Sequence, residues 1–216
     1  MAESAYTPGE DFANSLTHAL AAVAGVAGLV FLLTRSTTTG DVWRITSTAI
    51  YGGTMILLFL MSSLYHAFRR PRVKHVFRLL DHSAIFLLIA GTYTPFILIS
   101  ARGAVGWTIF ILVWSLAVAG ILFELFFLDR FKWLTVTIYV SLGWIGVFGA
   151  KTMMQALSAP ALWWILAGGL VYTTGVVFYK WKKLPYNHAI WHAFVVGGAA
   201  CHWVSIYAFV LPVGNA

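Results

Sequence analysis

The sequence predicts an all-α polytopic membrane protein, a bundle of seven transmembrane helices with its N-terminus in the cytoplasm and its C-terminus outside. Three observations carry this expectation. The chain of 216 residues is 60% hydrophobic and 10% charged, with a mean hydropathy of +0.83, whereas soluble domains are about a quarter charged. Seven uncharged apolar runs approach the roughly twenty residues that a helix needs to cross a bilayer. The basic residues between these runs fall unevenly on two sides.

In chain order the spans are Ala13 to Leu33, Ile45 to Phe68, Leu79 to Ser100, Val105 to Leu128, Trp133 to Ala150, Ala161 to Tyr179, and His188 to Leu211. The residues ahead of the first span, MAESAYTPGEDFANS, hold acids and no Lys or Arg, so they lack the basic region of a cleavable signal peptide. The first span is therefore expected to stay. Connections are short and carry no Ser-rich or Gly-rich linker, which predicts one membrane domain over residues 1–216. The single Cys201 excludes an internal disulfide and reads as a small core residue. Before the last span, Pro185 and Asn187 predict a helix start with Asn187 as its N-cap.

Seven spans place the termini on opposite sides. On the N-terminal side lie Arg69, Arg70, Arg72, Lys74, Arg78, Arg130, Lys132, Lys180, Lys182 and Lys183, against Arg35, Arg44, Arg102 and Lys151 on the other. This bias, in short loops, predicts a cytoplasmic N-terminus and insertion in the inner, or plasma, membrane. A net charge of +7 would suggest nucleic acid in a soluble protein. Here it sets sidedness, so membrane lipids and not nucleic acid are the expected partners; the oligomeric state is left open. The cluster from Arg69 to Arg78 could also hold anionic head groups, although topology alone accounts for it.

Topology assigns depth. Ser62, Ser63 and His66 fall at the N-terminal-side end of span two, Asp81, His82 and Ser83 at the same level in span three, and His188 and His192 in the first turns of span seven. Asn14 and His18, also four residues apart, share that depth in span one. Ionisable groups are costly in lipid and normally face the bundle interior, where they mark a site. Three histidines, His66, His188 and His192, suit a zinc ion with an open fourth position; they could equally be interfacial or satisfied core residues. With zinc present, Asp81 could hydrogen-bond a water at the metal or act as general base. Ser62, one turn before His66, could orient a ligand or stabilise an oxyanion.

These residues resemble a family. Ser62-Ser-Leu-Tyr-His66, Leu80-Asp81-His-Ser-Ala-Ile ahead of Gly91-Thr-Tyr-Thr-Pro95, and His188-Ala-Ile-Trp-His192 followed by His202 are similar to the pattern of the haemolysin III proteins, the bacterial branch of the progestin and adipoQ receptor family, with alkaline ceramidases as more distant relatives. The likeness extends over nearly the whole chain, including Glu10, Asn14 and His18. It implies a seven-helix bundle and a zinc ion near the cytoplasmic face, with His66, His188 and His192 as ligands, Asp81 as partner of the water and Ser62 behind them. His82 stands where the animal receptors commonly have Tyr.

The remaining polar residues read as structural. Asn14 and His18 suit a buried hydrogen-bonded pair. His82, about 100° round the helix from Asp81, should bond elsewhere, and His202, some 15 Å along the helix from His192, is too far to share the ion. Glu124 lies near Asp129 and Arg130, where snorkelling is expected, and His75 sits in the basic loop. Gly143, Gly146 and Gly149 would permit close helix contact. Two functions follow: a zinc-dependent hydrolase of a lipid amide or ester, ceramidase-like, with membrane lipid as substrate, or a sensor or regulator in which zinc is structural. A cytolytic pore ranks below both, because no polar face runs the full width of the bilayer.

Overall fold

The computed structural model describes residues 6–128 and 130–212, and every regular element among them is helical. The helices are α1 (Pro8–Thr37), α2 (Val42–Ala67), α3 (Pro71–Pro95), α4 (Ala104–Phe127), α5 (Lys132–Trp144), α6 (Ala150–Ala156), α7 (Ala159–Lys180) and α8 (Asn187–Ser205). A π-helical turn, Phe96–Ser100, extends α3; another, Ile206–Val210, extends α8; and a 3-10 turn, Ile145–Gly149, joins α5 to α6. Seven segments are long and apolar enough to cross a membrane: Pro8–Thr37, Val42–Ala67, Pro71–Ser100, Ala104–Phe127, Trp133–Ala156, Ala159–Lys180 and Asn187–Val210. In lipid this all-helical solution is required, because each backbone N–H and C=O must be satisfied within its own segment.

Local chemistry sets the helix starts. Thr7 and Glu10 form a capping box around Pro8: Thr7 Oγ1 accepts from Glu10 N–H at 3.2 Å, and Glu10 Oε2 accepts from Thr7 N–H at 2.9 Å. Asp41 caps α2 by accepting from Trp43 N–H at 2.8 Å. At α8 the structure corrects the expected cap. Tyr186 precedes the helix with a left-handed φ of 55°, and Asn187 is already its first residue. The Asn187 amide instead donates to the carbonyls of Phe178 and Tyr179 at the end of α7, both at 3.1 Å, and so ties the two helices together. Glu10 Oε1 accepts the Tyr186 N–H at 3.2 Å, which offsets the cost of that backbone conformation and locks the start of α1 to the start of α8.

α1 packs on α2 and α8, α2 on α3, α3 on α4, and α7 on α8, while α5 bridges α3, α4 and α7. Tyr51, Phe59, Ala84, Leu88, Val195 and Ala199 fill the interior between α2, α3 and α8; Phe86, Ile97, Ile109, Val113 and Leu142 fill that between α3, α4 and α5. The outside is as apolar as the inside. Phe148 is 89% exposed and Trp133 75%, which suits contact with lipid and the interface and not with water. Cys201 is a half-buried free thiol on α8.

The three glycines of span five differ in role. A Cβ on Gly149 would come within 2.2 Å of Ile109 of α4 and one on Gly146 within 3.2 Å of Tyr93 of α3, whereas Gly143 faces open space. They are therefore not one packing stripe, because the backbone turns from α to 3-10 geometry between them. Another close approach in the second core is at Gly120, where a Cβ would lie 2.3 Å from the Phe86 ring. Gly120→Ala is expected to destabilise the detergent-solubilised protein by about 1–3 kcal/mol in thermal unfolding, through overpacking. Gly53→Ala, with nothing within 4 Å of the added carbon, should leave stability unchanged or raised.

Candidate metal centre

The helix order brings the N-terminal-side ends of α1, α2, α3 and α8 together, and with them the residues the sequence placed in one layer. One potential ligand atom from each of His66, His188 and His192 lies within 4.8 Å of the other two, and all three residues are buried against protein. Ring centroids are 4.5 Å apart for His188 and His192, 5.1 Å for His66 and His188, and 5.3 Å for His66 and His192. The two α8 residues meet because they are one turn apart, and α2 brings His66 across from its last turn.

Hydrogen bonds fix which nitrogen each ring offers. His66 Nδ1 lies 2.9 Å from Asp11 Oδ1, and a carboxylate can only accept, so Nδ1 carries the proton. This leaves a lone pair on His66 Nε2, which is buried without a hydrogen-bond partner. Asp11 is itself held by Lys74 Nζ at 2.9 Å, and the Asn14 amide stands 3.4 Å from the same His66 nitrogen. His192 Nδ1 donates to the Asn14 carbonyl at 3.1 Å, with the Thr17 hydroxyl at 3.3 Å, which frees its Nε2 in the same way. His188 Nδ1 is buried and has no partner. Buried polar atoms are normally satisfied, and imidazoles oriented by a carboxylate or carbonyl on the far nitrogen are the usual companions of a metal. The donor set therefore fits a divalent ion such as zinc.

Asp11 had not been singled out from the sequence. Its signal was nonetheless there: Asp11, Asn14 and His18 follow one another at three and four residues, one stripe on α1. Tyr6 is a second omission, with its ring 5.0 Å from that of His188 and 5.6 Å from that of His66, closing the centre from the chain's own N-terminal segment. Burial holds the Tyr6 phenol protonated, with its pKa well above the ordinary range.

Asp81 and Ser62 are buried beside the histidines and face a cavity of about 620 Å³ that His188, His192 and His18 also line. Ser62 Oγ makes no hydrogen bond of good geometry, although the Asp81 carboxylate is its neighbour. Beyond this end the wall is mainly apolar, with Leu88, Phe96, Met153, Leu162, Leu166 and Val195, and it also carries His82, Glu124 and Thr135.

Two structural expectations are corrected. Asn14 and His18 do not form a hydrogen-bonded pair: Asn14 turns to His66 and His192, while His18 stacks on His192 at 3.7 Å and has no partner on either nitrogen. Glu124 does not snorkel. It is 1% exposed and points into the bundle, because Thr135 of α5 and His82 of α3 supply hydrogen bonds that the membrane surface would otherwise provide. His82 does bond away from Asp81, as its helical angle requires. His202 packs against Tyr172 and Phe96, outside the three-histidine group, and His75 is exposed.

The family model described as "Haemolysin-III related" matches residues 6–203. The chain is 41% identical to Hemolysin-3 of Bacillus cereus over 206 residues, covering 95% of this chain and 94% of that one. It is 39% identical to the Hemolysin-3 homolog of Bacillus subtilis (strain 168) over 208 residues, covering 96% and 98%. Similarity extends to the human monocyte to macrophage differentiation factor, 28% identical over 207 residues, with 93% of this chain and 84% of that protein covered. No solved structure matches the chain. With its seven membrane-spanning helices and three-histidine centre, the chain belongs to the haemolysin III-related family.

Proposed function

We propose that this protein is a zinc-dependent hydrolase of a lipid amide or ester, set in the plasma membrane with its metal centre near the cytoplasmic leaflet. The observation that carries the reading is a three-histidine group that meets a carboxylate and a hydroxyl, with two of its histidines, the carboxylate and the hydroxyl facing a mainly apolar cavity. The distribution of Lys and Arg supports the orientation, with the N-terminus inside. Imidazole ligands suit zinc, and three of them leave a coordination position open.

Bound at the three histidines, zinc would supply a Lewis acid and make water a nucleophile near neutral pH. His66 and His192 hold their rings in the required tautomer through Asp11 and the Asn14 carbonyl. Asp81 takes the proton of the attacking water and returns it to the leaving amine or alcohol. The Ser62 hydroxyl donates to the oxygen on which negative charge develops. The apolar wall from Leu88 to Val195 takes the hydrocarbon tail and keeps bulk water from the reacting carbonyl.

Asp81→Asn separates a hydrolytic from a purely structural metal centre. The variant should retain metal by elemental analysis and lose turnover of a panel of lipid amides and esters by about 10²–10⁴-fold. Unchanged turnover in the variant, or a fully zinc-loaded wild type that releases no product, sinks the enzyme reading and leaves a sensor or regulator with structural zinc. Asp11→Asn tests the support of His66: metal affinity, measured by chelator competition, should fall about 10–100-fold, as for loss of other such partners. Equal affinity would mean that the Asp11 contact does not orient the ligand.

A further inference from the structure

We propose that His82, Glu124 and Thr135 form a second polar subsite on the cavity wall, one that binds the protonated amine of a lipid. The three residues come from three helices, α3, α4 and α5. Thr135 Oγ1 donates to Glu124 Oε1 at 2.7 Å, and His82 Nδ1 lies 3.2 Å from Glu124 Oε2. The Tyr139 hydroxyl donates to the His82 carbonyl at 2.9 Å and fixes α3 against α5 at this point. Glu124, Thr135, His82 and Tyr139 all line the cavity that reaches the metal centre.

The hydrogen bonds dictate what this group can recognise. Carboxylate oxygens accept, so the bond to Glu124 places the His82 proton on Nδ1 and leaves Nε2 as an acceptor. That nitrogen is not among the buried unpartnered atoms and makes no hydrogen bond, so it is open to a ligand, on a side chain that is 23% exposed. Behind it stands a carboxylate that is 1% exposed. The unit is therefore an acceptor backed by a negative charge in a low-dielectric wall. Its complement is an N–H donor carrying positive charge, because a charge-assisted bond is roughly twice as strong as a neutral one and charge attraction is weakly screened there.

The position gives the subsite its role. His82 adjoins Asp81 in sequence and lies within electrostatic reach of both Asp81 and His188. On the hydrolase reading, on which this role rests, water adds to an amide carbonyl near Asp81, the C–N bond breaks to give a carboxylic acid and an amine that has taken one proton of the water, and the acid's own proton then converts the amine to an ammonium. The resulting ammonium is the group that His82 and Glu124 would hold. The subsite thus favours amides of long-chain amines over simple acyl esters.

Binding tests this without turnover. Zinc-loaded protein in detergent is titrated calorimetrically with dodecylamine and with dodecyltrimethylammonium, which have equal charge and chain length but differ in N–H donors. Wild type should bind the amine about tenfold more tightly or better. His82→Phe and Glu124→Gln should bring the ratio close to one while metal content is kept, and Thr135→Val, which spares both members of the dyad, should lower it less. Thr135→Val also serves if either dyad variant fails to fold. No preference in wild type, or a preference that survives His82→Phe, overturns the proposal. A preference lost in the variants, in a protein that hydrolyses no amide, supports the subsite and counts only against the hydrolase reading. Amide hydrolysis without any amine preference does the reverse.

Discussion

A bilayer offers no hydrogen-bond partner in its hydrocarbon region, so every polar group that enters must find one within the protein. In this protein the constraint acts mainly at one level. Asp11, Asn14, His18, Ser62, His66, Asp81, His82, Glu124, His188 and His192 belong to five helices, and they converge near the ends of those helices on one side. Their mutual bonds select the helix arrangement. The Asp11 to His66 contact joins α1 to α2, the Asn14 carbonyl joins α1 to α8, and Glu124 joins α4 to both α3 and α5.

α1 has a larger part in this than its composition suggests. Its outer face is lipid-exposed, with Phe12 67% and Val23 72% accessible, yet its inner stripe supplies the groups that orient two of the three histidines. The capping box at Thr7 and Glu10 begins the helix, and the second Glu10 oxygen holds Tyr186 in its left-handed conformation. A single acid thus sets the start of α1 and the entry into α8. This couples the depth of Asp11 and Asn14 to that of His188 and His192, which is what a metal centre shared between the two helices requires.

The cavity follows from the uneven packing of the bundle. α1, α2, α3 and α8 form the tightly packed part, with Gly52 against Leu29 and Gly91 against Thr54 as close approaches. α5 and α7 lie further out, and the space between them and α3 is lined mainly with apolar side chains and reaches the histidine layer. The conversion of span five from α to 3-10 geometry at Ile145–Gly149 lets Tyr93 reach the Gly143 carbonyl at 2.6 Å and the Gly146 N–H at 2.9 Å. Those bonds anchor the span while leaving the cavity beside it open.

Much of this was legible in the residues alone. Hydropathy determines that seven segments leave water, because the transfer free energy of twenty apolar residues does not depend on which neighbours they meet. Helical periodicity determines that His188 and His192 share a face, and position along each span puts His66 and Asp81 at their depth. What one dimension lacks is the angle of each helix about its own axis and its choice of neighbour. Glu124 looked like a surface acid from its distance to Asp129 and Arg130, and only the packing of α4 between α3 and α5 turned it inward to His82 and Thr135. Asn14 and His18 looked like partners of one another, and only the crossing of α1 over α2 and α8 gave the Asn14 carbonyl to His192 and left His18 stacked on the same ring. Burial and depth are properties of a segment, whereas hydrogen-bond partners across helices are properties of an assembly, and the tertiary structure alone decides them.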